Sequence, residues 1–192
     1  MVLLILGLAL WWAAHLPKAV APGWRASLNE KYGEMPMKGA FSLALVLSVV
    51  LMTLGYQQAA FVNVWFPPAF LTHLNNLLMI LAIGIFIAGS IPSGVRSKIR
   101  HPQLTGFKLW AVSHLLVNGD LASIILFGGL LAWAVVELVL INKRDGKGPL
   151  PGPGSLKGWA IHGAATLGLY LVVGLAHNWL GVWPFGGGGG GM

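Results

Sequence analysis

All twelve Lys and Arg residues of this chain fall into three short stretches, and apolar runs fill almost everything between them. Lys18, Arg25, Lys31 and Lys38 form the first stretch. Arg96, Lys98, Arg100 and Lys108 form the second, and Lys143, Arg144, Lys147 and Lys157 the third. The apolar runs cover 2–16, 40–60, 71–91, 105–118, 121–141 and 158–181, so the basic stretches follow the first, third and fifth. The connections at 61–70 and 118–120 carry no cation. Cytoplasmic loops concentrate Lys and Arg. The alternation therefore predicts about six transmembrane segments, with both termini outside and three basic loops in the cytoplasm. A span takes about 20 apolar residues, so the first and fourth runs are short. The expected fold class is all-α, a polytopic membrane helix bundle forming one domain over 1–185, with a flexible glycine tail at 186–192.

Composition agrees. Charged residues make up 9% of the chain and hydrophobic ones 56%, against about 25% charged in a soluble domain. The net charge of +7 then reads as membrane orientation and not as nucleic-acid binding. No cysteine is present, which excludes disulfides, thiolate metal sites, Cys nucleophiles and covalent haem attachment. The first cation, Lys18, follows the N-terminal apolar run instead of preceding it, so a retained span is expected there and not a signal peptide. Breakers separate the runs: Pro17, Pro22-Gly23, Pro67-Pro68, Pro92-Ser93-Gly94, Asn118-Gly119-Asp120 and the GKGPLPGPG stretch at 146–154. The segment 24–38 mixes both charge signs with Trp24, Leu28, Tyr32 and Met35, the pattern of an amphipathic helix or turn on the inner interface. Tryptophans near the run ends, such as Trp11, Trp12, Trp65, Trp159, Trp179 and Trp183, suit interfacial belts.

Polar groups inside membrane segments are costly and face the bundle interior. The six histidines sort by expected depth. His15, His101 and His162 belong to the inner layer; His73, His114 and His177 to the outer one, with Asn75, Asn76, Asn118, Asp120 and Asn178. His101 and His114 would be roughly 20 Å apart along one helix, too far to share a small ion. Each needs a partner on another helix: His15 with His101 or His162, and His114 with His73 or His177. Histidine is the commonest neutral ligand for transition metals and haem iron, although a membrane histidine also serves as an interhelical hydrogen-bonder. Among the carboxylates, Glu30, Glu34 and Asp145 lie in basic loops, and Asp120 is placed to cap the fifth segment. Glu137 is expected to snorkel or to pair with Lys143 or Arg144. No G-x-S-x-G, Walker or H-E-x-x-H pattern occurs, which removes most support from hydrolase and nucleotide-driven transport readings. Ala160, Ala164 and Gly168, like Gly128 and Ala132, have the spacing of close helix packing.

The stretch RHPQLTGFKLWAVSHLLVNGDLASIILFGGLLAWA at 100–134 closely resembles the signature region of the NnrU family of bacterial membrane proteins. That family also includes plant 15-cis-ζ-carotene isomerase. HLPKAV with Arg25 near the start, PPAFLTHL at 67–74 and LAHNWLGVWPF near the end extend the resemblance over nearly the whole chain. In the isomerase branch the resemblance implies a non-covalent haem b held by two histidines, at positions matching His15 and His114, which isomerises a carotenoid double bond. In the NnrU branch it implies a role in nitric oxide and nitrite metabolism at the bacterial inner membrane. Secondary candidates for the cofactor site are His101, Asn118, Asp120 and His177. His114 and Asn118, one turn apart, would face a polar pocket while Asn-Gly-Asp turns the chain.

The expected function is thus that of a membrane haem protein in nitrogen-oxide or redox metabolism, with carotenoid isomerisation within the same reading. Its partners would be the bilayer and an apolar substrate or nitric oxide. Two other classes compete. RHPQLTG is similar to a motif of isoprenylcysteine-methyltransferase-like membrane enzymes, which points to a methyltransferase using S-adenosylmethionine. Such enzymes use a downstream carboxylate pair, and only Glu137 and Asp145 follow at a distance from the motif. A non-enzymatic membrane assembly factor is the third reading.

Overall fold

A computed structural model describes residues 1–91, 93–146 and 149–185. The expectations placed on Pro92, Lys147 and the tail at 186–192 lie outside them. Each apolar run is helical. In chain order the helices are α1 (Val2–His15), α2 (Pro17–Val20), α3 (Pro22–Tyr32), α4 (Glu34–Gln57), α5 (Leu71–Ile87), α6 (Pro102–Val117), α7 (Leu121–Asp145) and α8 (Leu156–Trp179). A 3-10 turn covers Gly94–Ser97. Among the described residues the one β feature is an isolated antiparallel bridge between Asn63 and Asp120. The protein is an all-α membrane helix bundle. Among the described residues four stretches are long and apolar enough to cross a bilayer: Val2–Val20, Glu34–Gln57, Leu121–Asp145 and Leu156–Trp179. Helices α5 and α6 are shorter, 17 and 16 residues, and reach about 25 Å at 1.5 Å per residue. Leu43, Val46, Val50 and Leu54 on α4 and Leu167, Leu171 and Leu175 on α8 are exposed, the surface a helix presents to lipid.

Two boundaries differ from expectation. Pro17 does not end the first span. Leu16 keeps helical angles (φ −61°, ψ −33°), and proline at the first position of α2 is sterically tolerated, so the helical path continues to Val20. The expected interfacial segment 24–38 is split at Gly33, whose φ of +88° lies in the left-handed region open to glycine. Residues before it form α3. Glu34–Lys38 instead open α4, joined by an ion pair at 2.7 Å.

The chain divides into two compact units, one of Met1–Trp65 with Asp120–Lys147, the other of Phe66–Gly119 with Gly148–Met192. In the first, α1 lies against α4 at glycines. A Cβ on Gly7 would stand 2.7 Å from Met52 N and 2.8 Å from Ser48 O, and one on Gly55 would run into the Leu3–Leu4 backbone. Two basic stretches meet in this unit: Arg144 donates to the Lys18 carbonyl at 3.3 Å. The cation-free connections also meet, with Leu121 N donating to Val62 O at 2.8 Å. In the second unit α6 packs on α5 through Gly106, where a Cβ would come within 2.6 Å of Phe86 N. There the Ser93–Gly94 turn lies against Gly154, so the remaining basic stretch also joins the third. The small residues expected at helix contacts lie elsewhere. Ala132, Ala160 and Ala164 are exposed, and a Cβ on Gly128 or Gly168 would meet no described atom within 4 Å.

Candidate functional site

In the first unit, His15 ends α1 with its half-buried ring in a triangle with two indoles. The Trp11 ring centroid is 4.3 Å away and that of Trp133 on α7 4.4 Å, and the two indoles meet edge-on at 5.1 Å. Helix α1 is held to α7 by the Trp12 indole N–H, which donates to Gly129 O at 3.2 Å. His15 Nδ1 is 3.0 Å from Trp11 O. A carbonyl can only accept, so Nδ1 carries a proton and the neutral ring has its lone pair on Nε2. One turn beyond Trp133, Glu137 is buried, and its Oε2 has no hydrogen-bond partner among the described residues. The expectation that it snorkels to the surface is overturned: its place on the α7 face that carries Trp133 holds it inside.

Asp120 caps α7 as expected, accepting from Ser123 N at 2.9 Å. Its second oxygen accepts from Ser123 Oγ. Ser123 has a single hydroxyl proton, so Tyr56 is the donor in the 2.8 Å bond between Tyr56 OH and Ser123 Oγ. Helices α4 and α7 are thereby joined through a capping carboxylate.

In the second unit, His114 repeats the arrangement of His15. Its Nδ1 is 2.9 Å from Trp110 O, and its ring lies 5.0 Å from the Trp110 ring. His177 on α8 likewise directs Nδ1 to Val173 O at 2.8 Å. Asn118 turns its amide back on the helix end, donating to His114 O at 2.8 Å. Asn75 on α5 is buried, donates weakly to Asn76 Oδ1 at 3.4 Å, and leaves its own Oδ1 without a partner among the described residues. His101 is half-buried just before α6, and His73 is exposed at the start of α5.

His162 differs in kind. It is buried, and its Nε2, not Nδ1, lies 2.7 Å from a carbonyl, that of Gly84 on α5. Its Nε2 is therefore a donor, whereas His15, His114 and His177 keep the Nε2 lone pair that metal ligation uses. Among the described residues no three His, Asp or Glu side chains gather as an all-protein metal site would need. The chemistry on offer is that of single imidazoles.

The sequence contains a local signal for these ring pairs. Trp11-x-x-x-His15 and Trp110-x-x-x-His114 are the same pattern, and a spacing of four on a helix sets ring beside ring. Reading Trp11 as an interfacial anchor hid the first pair, and Trp110 was given no role. The burial of Glu137 and Asn75 had no such local mark.

A family model described as NnrU protein matches residues 3–184. No curated protein and no solved structure matches the chain. The matched region covers all of the helices described above but for the first residue of α1, with both W-x-x-x-H pairs and the Asn-Gly-Asp turn, and on that extent the chain belongs to the NnrU family.

Proposed function

We propose that this membrane protein binds haem b non-covalently, that His15 and His114 would hold it, and that it serves nitrogen-oxide or redox metabolism at the bacterial inner membrane, its basic loops cytoplasmic. The observation that carries the reading is the shared state of the two rings. Each gives its Nδ1 proton to the carbonyl of a tryptophan four residues earlier, which fixes the tautomer that ligates through Nε2 and holds the ring's orientation. The donor set thus fits the group, and a chain without cysteine restricts it to non-covalent attachment. When bound, haem supplies one-electron chemistry and, where an imidazole yields, a coordination position for a small ligand such as nitric oxide. The protein's own part is to orient the rings. Trp11 and Trp133 pack beside His15, and Trp110 flanks His114. Carotenoid isomerisation is the same site acting on an apolar substrate.

A second ligand assignment, His114 with His177, keeps both imidazoles in one unit and gives both the same Nδ1-protonated state. The methyltransferase reading gains nothing, since Asp145 is committed to Arg144 at 2.6 and 2.9 Å and Glu137 is buried. The test is to purify the protein from haem-replete cells and record oxidised and dithionite-reduced visible spectra. A sharp Soret band with resolved α and β bands on reduction is expected. It should be lost in His15→Ala and His114→Ala and kept in His73→Ala. Loss in His177→Ala with retention in His15→Ala would move the site into the second unit. A protein that stays colourless with added haemin would overturn the haem reading and favour an assembly factor.

A further inference from the structure

We infer that the groove between α1 and α4 seats one acyl chain of an anionic phospholipid, with the lipid phosphate on Arg25. The groove has a volume of about 240 Å³ and is lined by Leu10, Ala13 and Ala14 on α1 and by Ala40, Phe41 and Ala44 on α4. Small side chains on both helices leave the space open, and no polar side chain lines it, so its occupant is a hydrocarbon. It lies at the end of α1 that leads into the basic stretch 18–38. The Arg25 guanidinium stands 3.9 Å from the centroid of Phe41, a wall of the groove, and is held there by its bond to Asn29 Oδ1 at 3.1 Å.

The charges at this mouth are unbalanced in favour of an anion. Glu34 is engaged by Lys38 at 2.7 Å, whereas Arg25 makes no salt bridge among the described residues. A guanidinium offers the planar donor set that suits phosphate. The neighbouring Trp24 is exposed on the amphipathic α3, and exposed indoles of this kind settle at headgroup depth. Hydrocarbon groove, cation on its wall and adjacent exposed indole are the elements that a lipid's chain, phosphate and headgroup region would meet.

The experiment is native mass spectrometry of the detergent-purified full chain with dioctanoyl phosphatidylglycerol, the matching phosphatidylcholine, and inorganic phosphate. Phosphatidylglycerol should bind one molecule in preference to phosphatidylcholine, and phosphate alone should not compete at the same concentration. Arg25→Gln should weaken phosphatidylglycerol about five-fold, the effect of one interfacial cation, and bring it level with phosphatidylcholine. Ala13→Phe, at an exposed position, should weaken both lipids by filling the groove while leaving the helical circular dichroism unchanged. Equal binding of the two lipids to the unmodified protein, or phosphatidylglycerol binding untouched by both variants, would overturn the inference. Competition by phosphate alone would reduce the site to a simple anion site and overturn the lipid assignment. The haem spectrum plays no part in this readout, so the two proposals fail independently.

Discussion

His162 Nε2 lies 2.7 Å from the carbonyl oxygen of Gly84, and this buried bond ties α8 to α5. The same carbonyl already accepts from Ala88 N within α5 at 3.3 Å, so removing the imidazole leaves it satisfied. His162→Phe should therefore cost only the interhelical bond, about 0.5–2 kcal/mol in a membrane bundle. It should appear as a modest fall in thermal midpoint in detergent. Because Nε2 is here a donor, the visible spectrum of the haem-loaded protein should not change. A spectral loss matching that of His114→Ala would place His162 among the ligands and contradict the tautomer argument.

Glycines that touch and glycines that do not should separate cleanly on substitution. Gly55→Val drives a Cβ into the backbone of Leu3 and Leu4, which cannot yield as a flexible side chain would. The α1–α4 pair should fail to assemble, read as loss of monodisperse protein on size exclusion. Gly128→Ala meets nothing within 4 Å and gains up to about 1 kcal/mol of helix propensity, so its yield and melting should equal or exceed those of the unmodified chain.

The contrast between those glycines shows what the sequence reveals. The helices were legible because each apolar run is bounded by proline, glycine or charge, and Asp120 was legible because a cap depends on its own next three residues. Which glycine makes contact was not, since Gly128 and Gly129 are indistinguishable locally and only Gly129 abuts Leu8. The same holds for the site. All six histidines stood out as rare polar residues and only the family resemblance singled out His15 and His114, while the tautomer of His162 depends on which carbonyl lies opposite. The start of α4 at Glu34 was missed because a charged first turn reads as loop, although Lys38 four residues on marks the ion pair that supports it.

The link from Asp120 through Ser123 to Tyr56 should behave as a coupled unit. Asp120→Ala removes the α7 cap and should cost about 0.5–2 kcal/mol. Tyr56→Phe should cost about 1 kcal/mol. With Asp120 gone, the Ser123 hydroxyl is released to turn its proton toward Tyr56, so the double variant should depart from additivity by at least about 0.5 kcal/mol. A double-mutant cycle on thermal or denaturant unfolding in detergent measures this directly. Strict additivity would mean that the two bonds act separately.

Glu137 presents the opposite case, a polar group whose setting does not reward it. It is buried on α7 beyond Trp133, with Oε2 lacking a hydrogen-bond partner among the described residues. Arg144 and Lys18 act on it only as nearby charges, and Arg144 is bonded to Asp145 and to the Lys18 carbonyl. Burying a polar group without a matching bond costs about 1–3 kcal/mol in proteins, and replacing such a group by an apolar one of similar volume is commonly neutral or stabilising. Glu137→Leu should therefore hold or raise the melting temperature in detergent, while Glu137→Ala, which opens a cavity beside Trp133, should lower it. If Glu137→Leu instead destabilised the protein as much as Glu137→Ala, the carboxylate would have to be engaged, and its burial would be part of what holds α7 in place.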